Sequence, residues 1–288
     1  MLTNPHEINA LLRLVDDPDK DVFSNVSNRI ISLGKEVIPY LEHHWETNVD
    51  PLTQDRVEML IHRLQWQDLK VEINEWLQLD SDNLLSGLLL LSKHRYPELD
   101  FTKTHKELEK IKRNIWLELN GFMTPLEQVN VLCNMLFNYY KLKGNEVNYT
   151  KPDEFQLSKL IESKHGNAVS NSLLILILSQ TFEINLKLIG IPRQFILGCF
   201  DANNDSQILF YLDGATGIMY SEAEVSTYFK RIGLSPSRSY FKAKNNPEVI
   251  TELIKEYKKC FTSEQQTNTL SELEELLEML NSSRSSSK

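Results

Sequence analysis

The chain has 288 residues, 41% of them hydrophobic, which is enough for at least one substantial core in a folded protein. Its 31 Lys and Arg are outnumbered by 40 Asp and Glu, and the net charge of -9 disfavours nucleic acid and anionic membranes as partners. The three cysteines, Cys133, Cys199 and Cys260, lie far apart without metal-ligand spacing. We therefore expect a protein without disulfides, metal or other cofactor, in the reducing cytoplasm.

The segment Met1–Ala10 lacks the basic region and the apolar run of a secretory signal peptide, so we expect no export. The most apolar run of the chain is Leu173–Leu178, which is far shorter than the roughly 20 residues of a membrane-spanning helix. We interpret this run as part of a buried helix.

Successive short helices are predicted for about the first 94 residues, with no strand signal between them. Asn4-Pro5 suits the start of the first helix, and an apolar stripe follows at helical spacing. The stretch Asp16–Trp45 has Asp-Asp-Pro-Asp, a helix, Leu-Gly and a second helix, which resembles one HEAT-like repeat. A helical pair over 52–77 and a helix over 83–93 follow, so these units form either a short curved slab or an irregular bundle.

Tyr96-Pro97-Glu98 marks a predicted domain boundary, because proline disfavours helix in the residue before it. Two longer helices follow, one over 104–119 and one from Thr124 to Lys141. Cys133 lies among apolar positions of the second helix, and we expect it to be an inert core thiol. The predicted domains are a helical HEAT-like domain at 1–100, a core at 101–240, a C-terminal helical extension at 241–280 and a disordered serine-rich tail at 281–288.

After Gly144 the pattern changes to a polar loop, and strand signals appear later in the chain. The predicted helices of this part are 155–163, ended by a glycine, and the strongly apolar 169–182. The predicted strands are 185–190, 194–200 and 207–213, with a polar turn at 201–206. Helices return at 221–231, 247–260 and 263–280. The fold class predicted is α+β and mostly helical, with a small antiparallel sheet.

Several residues of this region carry a resemblance to a known family. They are Gly144-Asn145, Tyr149, Pro152, Leu157, Leu160-Ile161-Glu162 and Gly166, followed by the apolar helix. The arrangement resembles the bacterial SirB-one family of the transglutaminase-like superfamily, and the resemblance extends over about 108–280. It implies a transglutaminase-like (papain-like) core, in which the small sheet packs against a buried helix, between an N-terminal helical array and C-terminal helices.

The resemblance also implies where the catalytic residues of active relatives lie. In such relatives a cysteine at the start of the core helix is the nucleophile, a strand histidine is its base, and an aspartate on the next strand orients the histidine. Here the turn 166–171 reads Gly-Asn-Ala-Val-Ser-Asn, without a cysteine, and Gln194 occupies the position of the base. Asp213 keeps the third position. Since an amide does not take a proton from a thiol near neutral pH, we expect a protein that is not an enzyme.

Two residues could stand in for the missing groups. Cys199 lies close in sequence, but the alternation of a strand puts it on the face opposite Gln194. His165 precedes the core helix and could approach Ser170 or Ser172, which leaves a serine-based hydrolase as an alternative. A surface histidine at a helix end explains His165 equally well.

The candidate vestigial or binding site consists of Asn145, Tyr149, Ser170, Asn171, Gln194 and Asp213. These side chains either satisfy buried backbone groups around a vestigial pocket or line a cleft that still binds a peptide or small ligand. The leading hypothesis is a non-catalytic module that binds a protein or peptide partner, with a regulatory role that rests on the resemblance alone. The alternatives are the serine-based hydrolase and a helical scaffold whose N-terminal domain binds a partner protein.

Overall fold

The computed structural model describes residues 5–262 and 266–285, and these form an α+β, mostly helical fold, as predicted. They divide into two compact units. The first unit comprises the described residues up to Glu75 together with Lys93–Pro97. The second comprises Trp76–Ser92 and the described residues from Glu98 onward.

Helices and strands of the described ranges are numbered in chain order. The α-helices are α1 (Pro5–Leu12), α2 (Lys20–Ser32), α3 (Ile38–Thr47), α4 (Pro51–Leu79), α5 (Leu84–Arg95), α6 (Phe101–Glu118), α7 (Pro125–Cys133), α8 (Leu157–Ser163), α9 (Ala168–Thr181), α10 (Glu222–Ile232), α11 (Asn246–Lys258) and α12 (Thr267–Ser285). The strands are β1 (Lys143–Asn145), β2 (His165–Asn167), β3 (Leu186–Leu188), β4 (Ile196–Asp201), β5 (Asn204–Asp213) and β6 (Met219–Tyr220). Shorter helical segments are the 3-10 turns Lys35–Val37, Pro152–Phe155 and Arg238–Phe241, and the π-helical segment Asn134–Tyr139 that continues α7.

The apolar faces of helices form the core of the first unit. Its buried residues are Ile8, Leu12, Val15, Val26, Ile30, Val37, Leu41, Val57, Leu60 and Leu64. Asp19 caps α2 by accepting a hydrogen bond from the Asp21 backbone N–H at 2.8 Å, which satisfies one of the donors left free at a helix start. The helix start predicted near Asp19 is therefore confirmed.

One prediction for the N-terminal region is wrong. Residues 52–77 were predicted as a helical pair, but they lie within the single helix α4, which runs from Pro51 to Leu79. No glycine or proline lies between Leu52 and Leu77. Because these are the residues that most strongly interrupt a helix, nothing in this stretch ends the backbone hydrogen-bond ladder.

Both sheets belong to the second unit. Four strands are antiparallel in the order β3-β4-β5-β6, with Ile196 of β4 opposite Asp213 of β5. The other sheet is the parallel pair of β1 and β2, in which Asn145 lies opposite Asn167. β1, β2 and β6 were not predicted, because they have only two or three residues and no β-branched side chain. Their pairing depends on tertiary contacts rather than on local propensity.

Helix α9 lies in the interior of the second unit. Every residue from Val169 to Ser179 is buried, and α9 contacts α8 and the strands β1, β2 and β3. A helix that is apolar on all sides is stable only when it is enclosed, so the interpretation of Leu173–Leu178 as part of a buried helix is confirmed. Within the ranges that the structure describes, no helix is long and apolar enough to cross a membrane.

Three helices follow the sheet. α10 begins with a capping box, in which Ser221 accepts from the Glu224 backbone and Glu224 from the Ser221 backbone, and α12 packs on α11. The predicted disordered tail, 281–288, is helical as far as Ser285. Residues 286–288 lie outside the described residues, as do the predicted helix starts at Asn4 and Ser263.

Candidate functional site

A cleft of about 950 Å³ opens in the second unit at the start of α9. Four of the predicted site residues line it, namely Asn145, Tyr149, Gln194 and Asp213. Ala168, the first residue of α9, also lines it. The cleft therefore brings together the end of β1, the turn before β4, the turn after β5 and the start of the core helix.

Asn167 fixes the start of α9 at the cleft. Its side-chain oxygen accepts hydrogen bonds from the backbone N–H groups of Val169 and Ser170 at 2.9 and 3.1 Å, and its own N–H donates to Ser170 Oγ at 3.1 Å. This reciprocal capping places Ala168 at the cavity. Ala168 was not predicted as a site residue, and the available signal was its position directly after the capping asparagine.

Ser170 and Asn171 lie behind the cleft. Both are 0% exposed, and neither lines the cavity. Within the described residues, the side-chain amide of Asn171 and the hydroxyl of Ser172 have no hydrogen-bond partner. The predicted site is thus divided, with four residues in the cleft wall and two, Ser170 and Asn171, in the layer beneath it.

Backbone atoms pack closely at the start of α9. A Cβ atom at Gly144 would overlap the backbone carbonyl oxygen of Ala215. A Cβ atom at Gly214 would overlap Ser172 Oγ and lie 2.8 Å from the Ser172 backbone nitrogen. β1, α9 and the turn after β5 therefore meet at distances that only glycine permits at these two positions.

Gln194 lies in the turn before β4 and is exposed, whereas it was predicted to be the first residue of the strand. The Gln194 backbone N–H donates to the Ile191 carbonyl at 3.3 Å, which tightens this turn. Neighbouring Arg193 has a φ of 62°, in the left-handed region that costs a non-glycine residue roughly 1 kcal/mol or more. The turn holds the Gln194 amide at the rim of the cleft.

Asp213 binds the turn that follows β5. Its Oδ1 accepts from the Ala215 N–H at 2.9 Å, and its Oδ2 accepts from the Thr216 hydroxyl at 2.7 Å. In the part of the chain that the structure describes, no other side chain donates a hydrogen bond to this carboxylate. Asp213 therefore lines the cleft while both of its oxygens organise the local backbone.

Asp213→Ala is expected to lower the free energy of unfolding by about 1–2 kcal/mol, because two turn hydrogen bonds are lost. Asp213→Asn should cost at most about half as much, since the amide oxygen still accepts from Ala215 and the amide nitrogen can donate to the Thr216 hydroxyl. Urea denaturation of the two variants beside the wild type measures the difference. Equal losses of stability in the two variants would show that Asp213 acts through its negative charge rather than through the hydrogen bonds of the turn.

Cys133 and Cys199 are buried thiols that do not line the cleft. Burial raises the pKa of Cys133 to about 12 and that of Cys199 to about 11, which keeps both thiols protonated at physiological pH. The prediction that Cys133 lies in the core is confirmed. Cys199, 0% exposed in β4, does not supply a nucleophile to the cleft.

One wall of the cleft carries carboxylates that were not predicted as site residues. Glu252 and Glu256 lie one turn apart on α11, and both line the cavity. Glu252 accepts from Lys244 and Lys255, each at 3.0 Å. Burial acts to raise the pKa of Glu252, but the hydrogen bonds from the two lysines lower it overall. The i,i+4 spacing of the glutamates was the available signal.

Tyr149 joins the same wall from the loop after β1. Its hydroxyl donates to Glu256 Oε2 at 2.7 Å, and Lys259 Nζ donates to Glu256 Oε1 at 2.7 Å. Burial and the hydrogen bond to Glu256 raise the pKa of Tyr149, so the phenol stays neutral at physiological pH. This wall consists of polar groups that are already paired with one another.

His165 does not activate a serine in this structure. Its Nδ1 lies 2.7 Å from the Ser163 carbonyl oxygen, and the ring is exposed. Among the described residues no hydrogen bond joins His165 to Ser170 or Ser172. The same ranges contain no group of three His, Cys, Asp or Glu side chains that could hold a metal ion.

The buried helix, the small sheet packed on it and the cleft at the helix start are the parts expected of a transglutaminase-like core. The sequence model of the transglutaminase-like superfamily matches residues 102–255, more than half of the 288 residues. The chain belongs to this superfamily. No curated protein and no solved structure gives a significant match.

Proposed function

We propose that this protein is a non-catalytic member of the superfamily, related to the SirB-one family, that binds a peptide segment of a partner protein in the cleft. The observation that carries the proposal is that the cleft opens at the start of the core helix, where Ala168 stands. The proposal includes a regulatory role in the cytoplasm. The net charge of -9 supports a partner other than nucleic acid or membrane.

The residues at the three catalytic positions suit binding better than acyl transfer. Ala168 is the first residue of the core helix, where the resemblance places the nucleophile, and its methyl group has no lone pair to attack a carbonyl carbon. Gln194 supplies an amide that donates and accepts hydrogen bonds but cannot act as a general base. Asp213 has both carboxylate oxygens bound within its own turn.

The other walls have the mixed chemistry that suits an extended peptide. Asn145 and Gln194 present exposed amides, each able to bond a backbone N–H or C=O group. Val147 and Ile191 add apolar surface beside them. Arg193 has no hydrogen bond or ion pair with any described residue, so its guanidinium can meet an acidic side chain. The volume of about 950 Å³ lies near the upper end of ordinary ligand pockets.

The observed contacts support a serine-based hydrolase less well than a binding module. Ser170 and Ser172 are fully buried, and Ser170 is held in the helix cap by the Asn167 N–H. Hydrolysis would require one serine to leave the packed first turn of α9. It would also require His165 to give up its contact with the Ser163 carbonyl.

Peptide display on the purified 288-residue protein, followed by titration of the recovered peptides, tests the proposal. Ala168→Phe should place a ring in the cleft and weaken those peptides by at least about tenfold, the effect expected at the centre of an interface. Ala223→Phe is the matched control, because Ala223 is an exposed alanine in the first turn of α10 and does not line the cleft. It should leave the affinities unchanged.

Mass spectrometry of the same peptides after incubation gives a second readout. We expect neither cleavage nor transfer. Cleavage that Ser170→Ala abolishes would establish the serine mechanism instead. Peptides that bind the wild type and Ala168→Phe equally well would place binding outside the cleft and overturn the proposal.

A further inference from the structure

A second pocket, of about 430 Å³, lies in the same unit between α10 and the four-stranded sheet, and we call it the tyrosine pocket. It is lined by Ile191, Gln194, Ile196, Tyr211, Tyr220, Glu224, Val225, Thr227, Tyr228 and Arg231. Ile191 and Gln194 also line the cleft, so the two cavities adjoin at the turn before β4. A ligand in the cleft can therefore extend into the tyrosine pocket.

The walls of the tyrosine pocket suit an aromatic ring. Ile191, Ile196 and Val225 are buried members of one apolar cluster, and Tyr220 and Tyr228 pack against it. Apolar and aromatic side chains around a concave space are the usual lining of a pocket that holds a planar ring. The size of the space, about 430 Å³, admits a single amino-acid residue with a large side chain.

Tyr211 places an unused donor in this pocket. The residue is only 5% exposed, and its hydroxyl, which is not one of the buried unpaired polar atoms, forms no hydrogen bond with a described residue and is open to the pocket it lines. Tyr228, by contrast, donates to the Pro192 carbonyl at 2.8 Å. Burial, with a smaller effect of Glu222, raises the pKa of Tyr211, so its hydroxyl stays protonated and able to donate. An acceptor atom of a ligand in the pocket can take this hydrogen bond in place of solvent.

Arg231 gives the pocket an unpaired positive charge. Its guanidinium carbon lies 5.5 Å from the centroid of the Tyr228 ring, and no carboxylate of a described residue forms an ion pair with it. The other charged residue of the lining, Glu224, accepts from the Ser221 N–H and hydroxyl at 2.7 Å each and is thus bound to the cap of α10. A carboxylate on the ligand is the group that a guanidinium binds best.

We propose that the tyrosine pocket binds an aromatic group bearing a carboxylate, with the ring among the tyrosines, an acceptor atom on the Tyr211 hydroxyl and the carboxylate on Arg231. This inference rests on the proposed function, because it identifies the anchor of the ligand in the adjoining cleft. The C-terminal aromatic residue of a peptide and a free aromatic acid share this chemistry. Peptides of increasing length distinguish the two sources.

Isothermal titration of the full chain with N-acetyl-L-tryptophan tests the anchor. N-acetyl-L-tryptophanamide, which lacks the carboxylate, should bind about tenfold more weakly, as should N-acetyl-L-tryptophan to Arg231→Gln, because a charge-assisted bond is lost in each case. Tyr211→Phe should weaken binding about threefold to tenfold through loss of one hydrogen bond. The matched controls are Lys230→Gln and Tyr139→Phe, both at exposed positions outside the pocket, and they should leave the affinity unchanged.

Equal affinity of the acid and the amide, or unchanged binding to Arg231→Gln and Tyr211→Phe, would overturn the anchor. A pentapeptide ending in tryptophan that binds more tightly than N-acetyl-L-tryptophan, and loses that gain in Ala168→Phe, identifies a peptide that spans both cavities. If the pentapeptide and N-acetyl-L-tryptophan bind with equal affinity, and Ala168→Phe does not change it, the ligand is a free aromatic acid. That result supports the pocket but separates it from the cleft. Displayed peptides that respond to Ala168→Phe but not to Arg231→Gln leave the proposed function standing and refute the anchor alone.

Discussion

Gly144→Ala is expected to lower the free energy of unfolding by about 3 kcal/mol, at the upper end of the usual cost of overpacking. The new methyl group would overlap the Ala215 carbonyl oxygen, which is a backbone atom and cannot rotate away. Either β1 or the turn after β5 must then move, and both carry residues of the cleft. We expect weaker ligand binding in the fraction that still folds.

Urea denaturation of Gly144→Ala, followed by circular dichroism, measures the loss of stability. Gly121→Ala is the matched control, because a Cβ atom at Gly121 would meet no other atom within 4 Å. Gly214→Ala should behave like Gly144→Ala, as its methyl group would overlap Ser172 of the core helix. Equal stability of the Gly121 and Gly144 variants would show that the contact with Ala215 is not tight in solution.

The second large effect is expected from Ala168→Cys, which introduces a thiol at the start of α9. At pH 8 the thiolate fraction of the buried Cys133, with a pKa of about 12, is about one in ten thousand, and that of Cys199, with a pKa of about 11, about one in a thousand. A thiol in an open cleft at a helix N-terminus has a pKa of about 8.5 or lower. It should therefore react with iodoacetamide at least about 100-fold faster than either buried cysteine.

Peptide-resolved mass spectrometry after timed labelling gives the three rates from one sample. Ala223→Cys provides the comparison with an exposed thiol in the first turn of another helix. If the thiol at position 168 reacts as slowly as Cys133 and Cys199, the cleft is closed in solution. In that case the proposal of a binding site at the start of α9 fails.

Local signals in the sequence predicted the helices of the second unit well. The helix predicted over 221–231 corresponds to α10, whose start the structure shows to be a Ser221–Glu224 capping box, and α9 was found because its apolar run has no interruption. The pairing of β1 with β2 was not found, since Lys-Gly-Asn and His-Gly-Asn have no strand propensity of their own. Those strands exist because the surrounding helices bring two short segments together.

Only part of the candidate site was predicted, again because local sequence does not show which segments the fold brings together. Asn145, Tyr149, Gln194 and Asp213 were found through motif positions, and they share one cleft. Ser170 is as polar as the residues of a binding site, but its hydroxyl accepts a hydrogen bond in the cap of α9. Sequence alone does not distinguish a capping hydroxyl from an exposed one. The charged wall on α11 was missed, because the i,i+4 spacing of its glutamates indicates one face of a helix but only the fold brings that face to the cleft.

The enclosure of α9 also matters while the chain is being made. β3 contacts α9 but follows it in sequence. The apolar run Leu173–Leu178 therefore leaves the ribosome before the four-stranded sheet that contains β3. At about 5–20 residues per second, roughly 2–7 s separate the synthesis of Leu178 from that of Asp213 at the end of β5. During this interval the run is exposed apolar surface of the kind that chaperones hold. The segment that organises the finished core is thus an aggregation hazard of the nascent chain.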